Sequence, residues 1–146
     1  TLNTIIYDHD LSIIKTLLDK AKEADLTAVI AMDQAVIAYA RQIGMEVHIS
    51  TQINITNIET VKFYALFADT MVMSRELSIT QIKKICSQIE KEQIKGPSGN
   101  LVEIEIFGHG ALCMAVSGKC YLSLHSHNSS ANRGACKQNC RKKYIN

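Results

Sequence analysis

Apolar residues follow two different periods along the first 110 positions of the chain. Short apolar runs alternate with segments in which apolar residues recur every three or four positions, the spacing of an amphipathic helix. The short runs predict five strands, within residues 2–6, 27–33, 45–51, 69–74 and 101–110. The periodic segments predict four helices, within residues 11–24, 34–44, 56–68 and 77–96.

Capping residues mark where these helices begin and end. Asp10 is a predicted N-cap of the first helix, and Gly44 follows the second helix at the position where a left-handed residue is usual. Thr56 and Glu59 have the spacing of a capping box, and Ser78 is the predicted cap of the fourth helix. Local sequence therefore supports the same boundaries as the periodicity.

Alternation of apolar strands and helices predicts an α/β fold with a parallel sheet covered by helices. No glycine-rich phosphate loop follows a predicted strand, which argues against a dinucleotide-binding fold. We therefore expect a parallel (β/α) barrel of the TIM type, present as a partial barrel of about five strands over residues 1–110. Residues 111–146 would continue the same domain as a Cys-rich basic segment. Five strands cannot close an eight-stranded barrel, so we expect the chain to be part of a longer one.

Polar residues end the predicted strands. The carboxyl ends of parallel strands meet at one edge, which holds the site in barrels and in open α/β sheets. From this edge we predict catalytic roles for Arg75, Glu76 and His109 and substrate-binding roles for Thr51 and Gln52.

Two of these residues have a structural alternative. Arg75 could bind a carboxylate or phosphate through two parallel hydrogen bonds, or it could form an ion pair with Glu76 that locks neighbouring strands. His109 lies between two glycines that allow close approach of a backbone, and it serves either as a site residue or as a structural hydrogen-bonding group.

Charge is distributed unevenly. Residues 108–146 contain six Lys or Arg and no Asp or Glu, whereas residues 1–107 contain ten basic and fourteen acidic residues. A solvated basic surface is one explanation, and an anionic partner is the other. We predict that Arg133 and Arg141 bind an anionic substrate, and the basic run 141–143 suits the backbone of a nucleic acid. No apolar run approaches the roughly 18–20 residues that span a bilayer, so we expect no membrane partner and a cytoplasmic location.

Four of the five cysteines lie in the basic segment, with the spacing Cys113-x6-Cys120-x15-Cys136-x3-Cys140. Disulfides need an oxidising compartment, and structural zinc usually has pairs closer than Cys113 and Cys120. An iron–sulfur cluster needs four thiolates and tolerates varied spacing, and the basic residues would offset its negative charge. The residues favour an iron–sulfur cluster and leave open zinc, disulfides and unligated thiols. Cys86 lies among isoleucines on a helix face and is predicted to be a small buried residue.

Four stretches resemble one family. They are "STQINITNIETVKFY", "VMSRELSITQIKKI", "EIFGHGALCMAVSGKCYLS" and "ANRGACKQNCRKKY", and together they are similar to the collagenase-like peptidases. This is family 32 of the peptidases of unknown catalytic type, and the resemblance covers nearly the whole chain in the same order.

The resemblance implies a (β/α) barrel, with "TLNTII" as the end of its third strand. It implies a [4Fe–4S] cluster bound by Cys113, Cys120 and Cys136, with Cys140 or a residue beyond the chain as the fourth ligand. We expect a fragment handled in air to lose this cluster. Assigned members of the family are prephenate-dependent, oxygen-independent hydroxylases of tRNA or rRNA. The predicted function is therefore RNA hydroxylation with prephenate as co-substrate. The alternatives are a peptidase, as the family name says, and an RNA-binding module with structural zinc.

Overall fold

The computed structural model describes residues 1–143. Four strands and five α-helices follow one another along the chain. The strands are β1 (Ala28–Ala31), β2 (Glu46–Ile49), β3 (Thr70–Val72) and β4 (Glu103–Glu105). The helices are α1 (Leu11–Glu23), α2 (Gln34–Gln42), α3 (Ile58–Ala65), α4 (Ile79–Glu92) and α5 (Leu122–His127). Short 3-10 turns lie at Asp8–Asp10, Thr51–Ile53, Ala131–Arg133 and Asn139–Arg141.

The strands form one parallel sheet in the order β1-β2-β3-β4, which is also their order along the chain. Such an order has no switch point of the kind that marks doubly wound nucleotide-binding sheets. Successive addition of parallel strands is the pattern of a (β/α) barrel, and within residues 1–143 the sheet remains open. The α/β class and the parallel sheet are thus confirmed.

The first of the five predicted strands, at residues 2–6, is wrong within the described residues, which form four strands. Leu2 forms a single parallel bridge with Ala31, and its amide donates to the Ile30 carbonyl at 2.8 Å. Beyond this bridge the chain bonds to groups outside the sheet. Ile5 donates to the Asn132 carbonyl at 3.1 Å, and Ile6 donates to the Asp33 carboxylate at 3.0 Å.

The core lies between one face of the sheet and the helices. Register places Val47, Ile49 and Met71 on this face, and all three are buried. Helices α1 to α4 all contribute to the same cluster, through residues that include Ile14, Leu18, Val36, Ile37, Val61, Ile85 and Ile89. Coverage of one face by consecutive helices leaves the strand ends free to support a site.

Two capping predictions are confirmed. Gly44 adopts φ +70°, and Ser78 caps α4 in a capping box with Gln81. Two others are wrong. Asp10 makes no cap bond to α1, because its carboxylate accepts from the Tyr7 amide and from Arg133. The second is the capping box of Thr56 and Glu59. The N-cap of α3 is instead Asn57, which directly precedes the helix and whose side chain accepts from the Thr60 amide at 2.9 Å.

Strand β4 is shorter than the prediction for residues 101–110. It ends at Glu105, and the chain then continues through two glycines into the Cys-rich segment. Among the helices that the structure describes, none has the length and apolar character needed to cross a membrane.

Candidate functional site

A cavity of about 1270 Å³ lies beyond the carboxyl ends of β2, β3 and β4. Its wall is built by residues that follow these strands and by the Cys-rich segment. Eight of the predicted site residues line it, namely Thr51, Gln52, Arg75, His109, Cys113, Cys120, Cys136 and Cys140. Three others, Glu76, Arg133 and Arg141, lie outside the lining that residues 1–143 provide.

The charged side chains of the lining are basic. Within the described part of the chain they are Arg75 and Lys119, beside the imidazoles of His109 and His125, and the lining includes no Asp or Glu. An anion entering this cavity would meet no carboxylate on the wall. Lys119 was not among the predicted site residues, although its position between two cysteines of the basic segment was the signal that could have identified it.

The four thiols share this wall without being gathered at one point. Cys113, Cys136 and Cys140 are exposed, Cys120 is half-buried, and all are free thiols. Across residues 1–143, no three His, Cys, Asp or Glu side chains are arranged to hold a metal ion. The Gln138 amide lies 3.4 Å from Cys136 Sγ, a contact of the kind that tunes cluster thiolates. Donor chemistry and a shared cavity therefore fit an iron–sulfur cluster, and binding would draw the thiols together.

Arg75 contacts the loop between Cys113 and Cys120. Its Nε and one terminal nitrogen donate to Ser117 Oγ at 3.1 and 2.7 Å. The terminal nitrogens also donate to the Ala115 carbonyl at 3.2 Å and to the Cys113 carbonyl at 3.5 Å. The guanidinium is thus turned towards the cysteine loop.

Glu76 turns away from Arg75. Its carboxylate accepts a hydrogen bond from the Ser74 hydroxyl, and this bond is the main reason that the pKa of Glu76 is lowered. Among the ion pairs within residues 1–143, none joins Arg75 to Glu76. The structural alternative from the sequence, an Arg–Glu pair locking neighbouring strands, is not formed.

The end of β2 supports the same loop. Thr51 Oγ1 donates to the Met73 carbonyl at 3.1 Å, which ties the ends of β2 and β3 together. The side-chain amide of Asn54 donates from Nδ2 to the carbonyls of Gln52 and Ser117 at 2.8 and 2.9 Å. Gly118 lies against this turn at φ +72°, and a Cβ at Gly118 would come within 3.2 Å of Gln52 Cβ. Asn54 was not predicted, and no local pattern announces its contact with residue 117.

Two buried acceptors near this turn have no hydrogen-bond partner within the described residues. They are Oε1 of Gln52 and Oδ1 of Asn54. A buried polar atom without a partner is costly, so a donor from solvent or substrate would be stabilised there. Of the two predicted substrate-binding residues on this turn, Gln52 has the acceptor available.

Asn132 and Arg133 hold the second half of the segment. Asn132 accepts from the Cys120 amide at 3.2 Å through its side chain and from the Ile5 amide at 3.1 Å through its carbonyl. Arg133 forms a two-point ion pair with Asp10 and donates to the Ile5 carbonyl at 3.0 Å. These contacts fasten the cysteine segment to the N-terminal residues.

Arg141 is exposed and donates to the Leu112 carbonyl at 3.2 Å, which links the last described turn to the start of the first cysteine loop. The adjoining basic residues Lys142 and Lys143 are also exposed. Tyr144, which completes the basic run of the sequence, lies outside the described residues.

The profile of peptidase family U32 matches residues 1–146. The chain belongs to this family. A relative named "Collagenase" from Porphyromonas gingivalis is 56% identical over 144 residues, which cover 99% of this chain and 35% of the relative. The Escherichia coli "23S rRNA 5-hydroxycytidine C2501 synthase" is 36% identical over 145 residues, covering 99% of this chain and 20% of that protein. The Bacillus subtilis "tRNA hydroxylation protein P1" is 31% identical over 147 residues, covering 99% and 32%.

The suspected U32 family is thus confirmed. The chain spans about a third or less of the length of these curated relatives, whose names include a collagenase and RNA hydroxylases. No solved structure matches the chain.

Proposed function

We propose that this chain is the cofactor-binding part of an iron–sulfur enzyme that hydroxylates tRNA or rRNA with prephenate as co-substrate. One observation carries the proposal: four cysteines, with Arg75 and Lys119, line a single cavity at the carboxyl ends of parallel strands. The names of two relatives, an rRNA hydroxycytidine synthase and a tRNA hydroxylation protein, support RNA as the substrate.

In this proposal Cys113, Cys120 and Cys136 hold a [4Fe–4S] cluster with Cys140 or a residue of the longer chain as fourth ligand. Such a cluster, when bound, supplies one-electron redox chemistry at a potential set by charge, hydrogen bonding and exposure. The protein's part is to hold four thiolates and to offset their charge. Within residues 1–143, a wall that contains Arg75 and Lys119 and no Asp or Glu provides that environment.

The remaining wall receives the substrates. Prephenate and the RNA backbone are both anionic, and Lys119 and His109 are the cavity groups best placed to meet them because Arg75 is engaged by the loop. Thr51 and Gln52 occupy the adjoining strand end. Glu76 lies next to Arg75 beside the cavity. Arg133 fastens the cysteine segment to the N-terminal residues, and Arg141 would face the RNA.

The proposal extends to the longer protein. Further strands of the longer protein would join those of residues 1–110 and close the open sheet into a TIM-type barrel. The enzyme would act in the cytoplasm, where its RNA substrates are. Residues 111–146 would form the cluster-binding continuation of the same domain.

The test uses the full-length protein purified without oxygen. Iron, acid-labile sulfide and zinc are assayed together, and RNA from cells lacking the gene is incubated with the protein and prephenate. About four irons and four sulfides per chain, with a nucleoside heavier by one oxygen atom that forms only when prephenate is present, would support the proposal. One zinc without sulfide would instead indicate an RNA-binding module with a structural metal.

A peptidase is the second candidate, because the relative named "Collagenase" is 56% identical to this chain. The sequence contains no H-E-x-x-H and no G-x-S-x-G motif, so it indicates no familiar peptidase mechanism. Hydrolysis of collagen-derived peptides by the same preparation, abolished by thiol blocking or chelation, would favour this candidate over RNA hydroxylation.

A further inference from the structure

Little apolar burial holds the loop between Cys113 and Cys120. Leu112 is 69% exposed, Met114 is 79% exposed and Val116 is 48% exposed. A loop with so few buried side chains has a low free energy of local opening unless polar contacts restrain it. Ser117 is the exception in this stretch, since it is 8% exposed and receives two bonds from Arg75.

The polar contacts come from two residues that follow adjacent strands. Arg75, after β3, donates to three acceptors in the loop, and Asn54, after β2, donates to the Ser117 carbonyl. Both therefore converge on Ser117, which is the point where the loop touches the sheet. Since all the acceptors lie between residues 113 and 117, the contacts restrain the segment that carries Cys113 and leads to Cys120.

We propose that Arg75 is a positioning residue for this cysteine loop and that it acts through the fork of its guanidinium rather than through its charge. As a statement about cluster binding, this rests on the proposed function. As a statement about the loop, it rests on the contacts alone. Each nitrogen of the guanidinium has an acceptor in the loop, an arrangement that a lysine ammonium with one nitrogen on a flexible stem cannot reproduce.

Cluster binding makes this restraint useful. The two cysteines are separated by six residues, and a freely moving loop must lose conformational entropy when both thiolates ligate the same group. A loop already fastened at Ser117 has lost part of that entropy on folding. Arg75 would then raise cluster occupancy without touching the cluster, and its loss would weaken binding at Cys113 first.

Lys119 provides a matched control. It lines the same cavity and carries the same charge, and none of the hydrogen bonds or ion pairs within the described residues involves its ammonium group. Removing Lys119 takes a cation from the wall and leaves the Arg75 contacts intact. A charge effect would appear in both variants, whereas a fork effect would appear at Arg75 alone.

The first measurement is amide hydrogen exchange of residues 113–120 in the full-length, metal-free protein. Loss of a hydrogen bond to a charged donor corresponds to about a tenfold change in the opening equilibrium. We expect roughly tenfold faster exchange in Arg75→Ala and Arg75→Lys, and exchange unchanged from wild type in Lys119→Ala. If the Arg75 variants fold poorly, Ser117→Ala is the second test, because it removes the shared acceptor with a small side-chain change. Amide exchange in Ser117→Ala should increase, by less than in the Arg75 variants.

The second measurement is the iron and sulfide content and midpoint potential after anaerobic reconstitution. Lower occupancy or a shifted potential in Arg75→Lys, which keeps the positive charge, would support the proposal. Wild-type exchange in Arg75→Ala would overturn it, as would equal increases in amide exchange in Arg75→Lys and Lys119→Ala. If the loop loosens as expected but the wild-type protein binds no iron, the proposed function fails while the positioning role stands.

Discussion

Arg133 and Asp10 lie 123 positions apart in the chain and are joined by two hydrogen bonds of 2.7 and 3.2 Å. The guanidinium also lies 4.5 Å from the centre of the Tyr7 ring. A planar donor held between a carboxylate and an aromatic face is a specific contact, and arginine is the residue suited to it. This contact joins the cysteine segment to the residues that precede α1, so it bears on both stability and the site.

Acid should weaken this link. The hydrogen bond from Arg133 is the main reason that the pKa of Asp10 falls to about 2 from 3.8. Because the folded-state pKa is the lower one, the stabilisation is fully present above about pH 4 and is lost as the pH falls from there towards 2. Asp10→Asn should therefore lower the melting temperature at neutral pH, and the difference from wild type should shrink below pH 4.

Asp8→Asn is the control for that experiment, since Asp8 is exposed in the same turn. Melting curves of the metal-free protein between pH 2 and 7 would show the window. A difference between wild type and Asp10→Asn that stayed constant down to pH 2 would contradict the ion-pair explanation.

The capping box of α4 should contribute measurably to stability. Ser78 accepts from the Gln81 amide at 3.4 Å, while the Gln81 side chain accepts from the Ser78 amide at 2.8 Å. Ser78→Ala should lower the free energy of unfolding by about 0.5–2 kcal/mol. Ser87→Ala, at an exposed position within the same helix, should leave the urea midpoint nearly unchanged. Equal midpoints for both variants would show that the box contributes nothing.

Gly96 allows the turn before β4 to pass close to Asp69. A Cβ at position 96 would lie 2.8 Å from Asp69 Cα, which is too close for a relaxed backbone. Gly96→Ala should therefore reduce the free energy of unfolding by about 1–3 kcal/mol. Gly108→Ala, where no atom lies within 4 Å of the added Cβ, serves as the control. Chemical denaturation that ranked Gly108→Ala as the more damaging change would refute this view of the turn.

Cysteine substitutions should separate cofactor ligands from packing residues. Cys120→Ser removes a thiol on the cavity wall and should abolish the visible absorbance and iron content of the anaerobically purified protein. Cys86 is half-buried on α4, away from that wall, and Cys86→Ser should retain both. Iron and sulfide analysis of the two proteins in parallel decides the matter, and equal retention in both would remove Cys120 from the ligand set.

The sequence predicted the element types well because their signals are local. Apolar spacing identified α1 to α4 and the four strands of the sheet, and Ser78 and Gly44 fell where their conformations required. Errors arose where distant groups competed for a side chain or a backbone. Asp10 has the chemistry of a cap but bonds to Arg133, and beyond Leu2 the predicted first strand bonds to Asn132 and Asp33 instead of to the sheet.

The candidate site followed the same division. Strand ends and cysteine spacing identified eight residues of the cavity wall, because parallel strands bring their carboxyl ends to one edge. Sequence could not show that Arg75 would be used by the cysteine loop, that Asn54 would support it, or that Lys119 would remain available. The Arg75 and Asn54 contacts are hydrogen bonds across 38 to 63 positions.

By itself, then, the sequence determined an α/β chain with its polar strand ends and cysteines in place, since period, capping and residue chemistry are properties of short segments. The tertiary structure decided which polar groups meet. Arg75 meets Ser117 and Arg133 meets Asp10 because the parallel sheet and its loops bring them within hydrogen-bonding distance. An arginine side chain can donate to many acceptors, and it bonds to those that the fold brings near it. The residues next to it in sequence do not identify these acceptors.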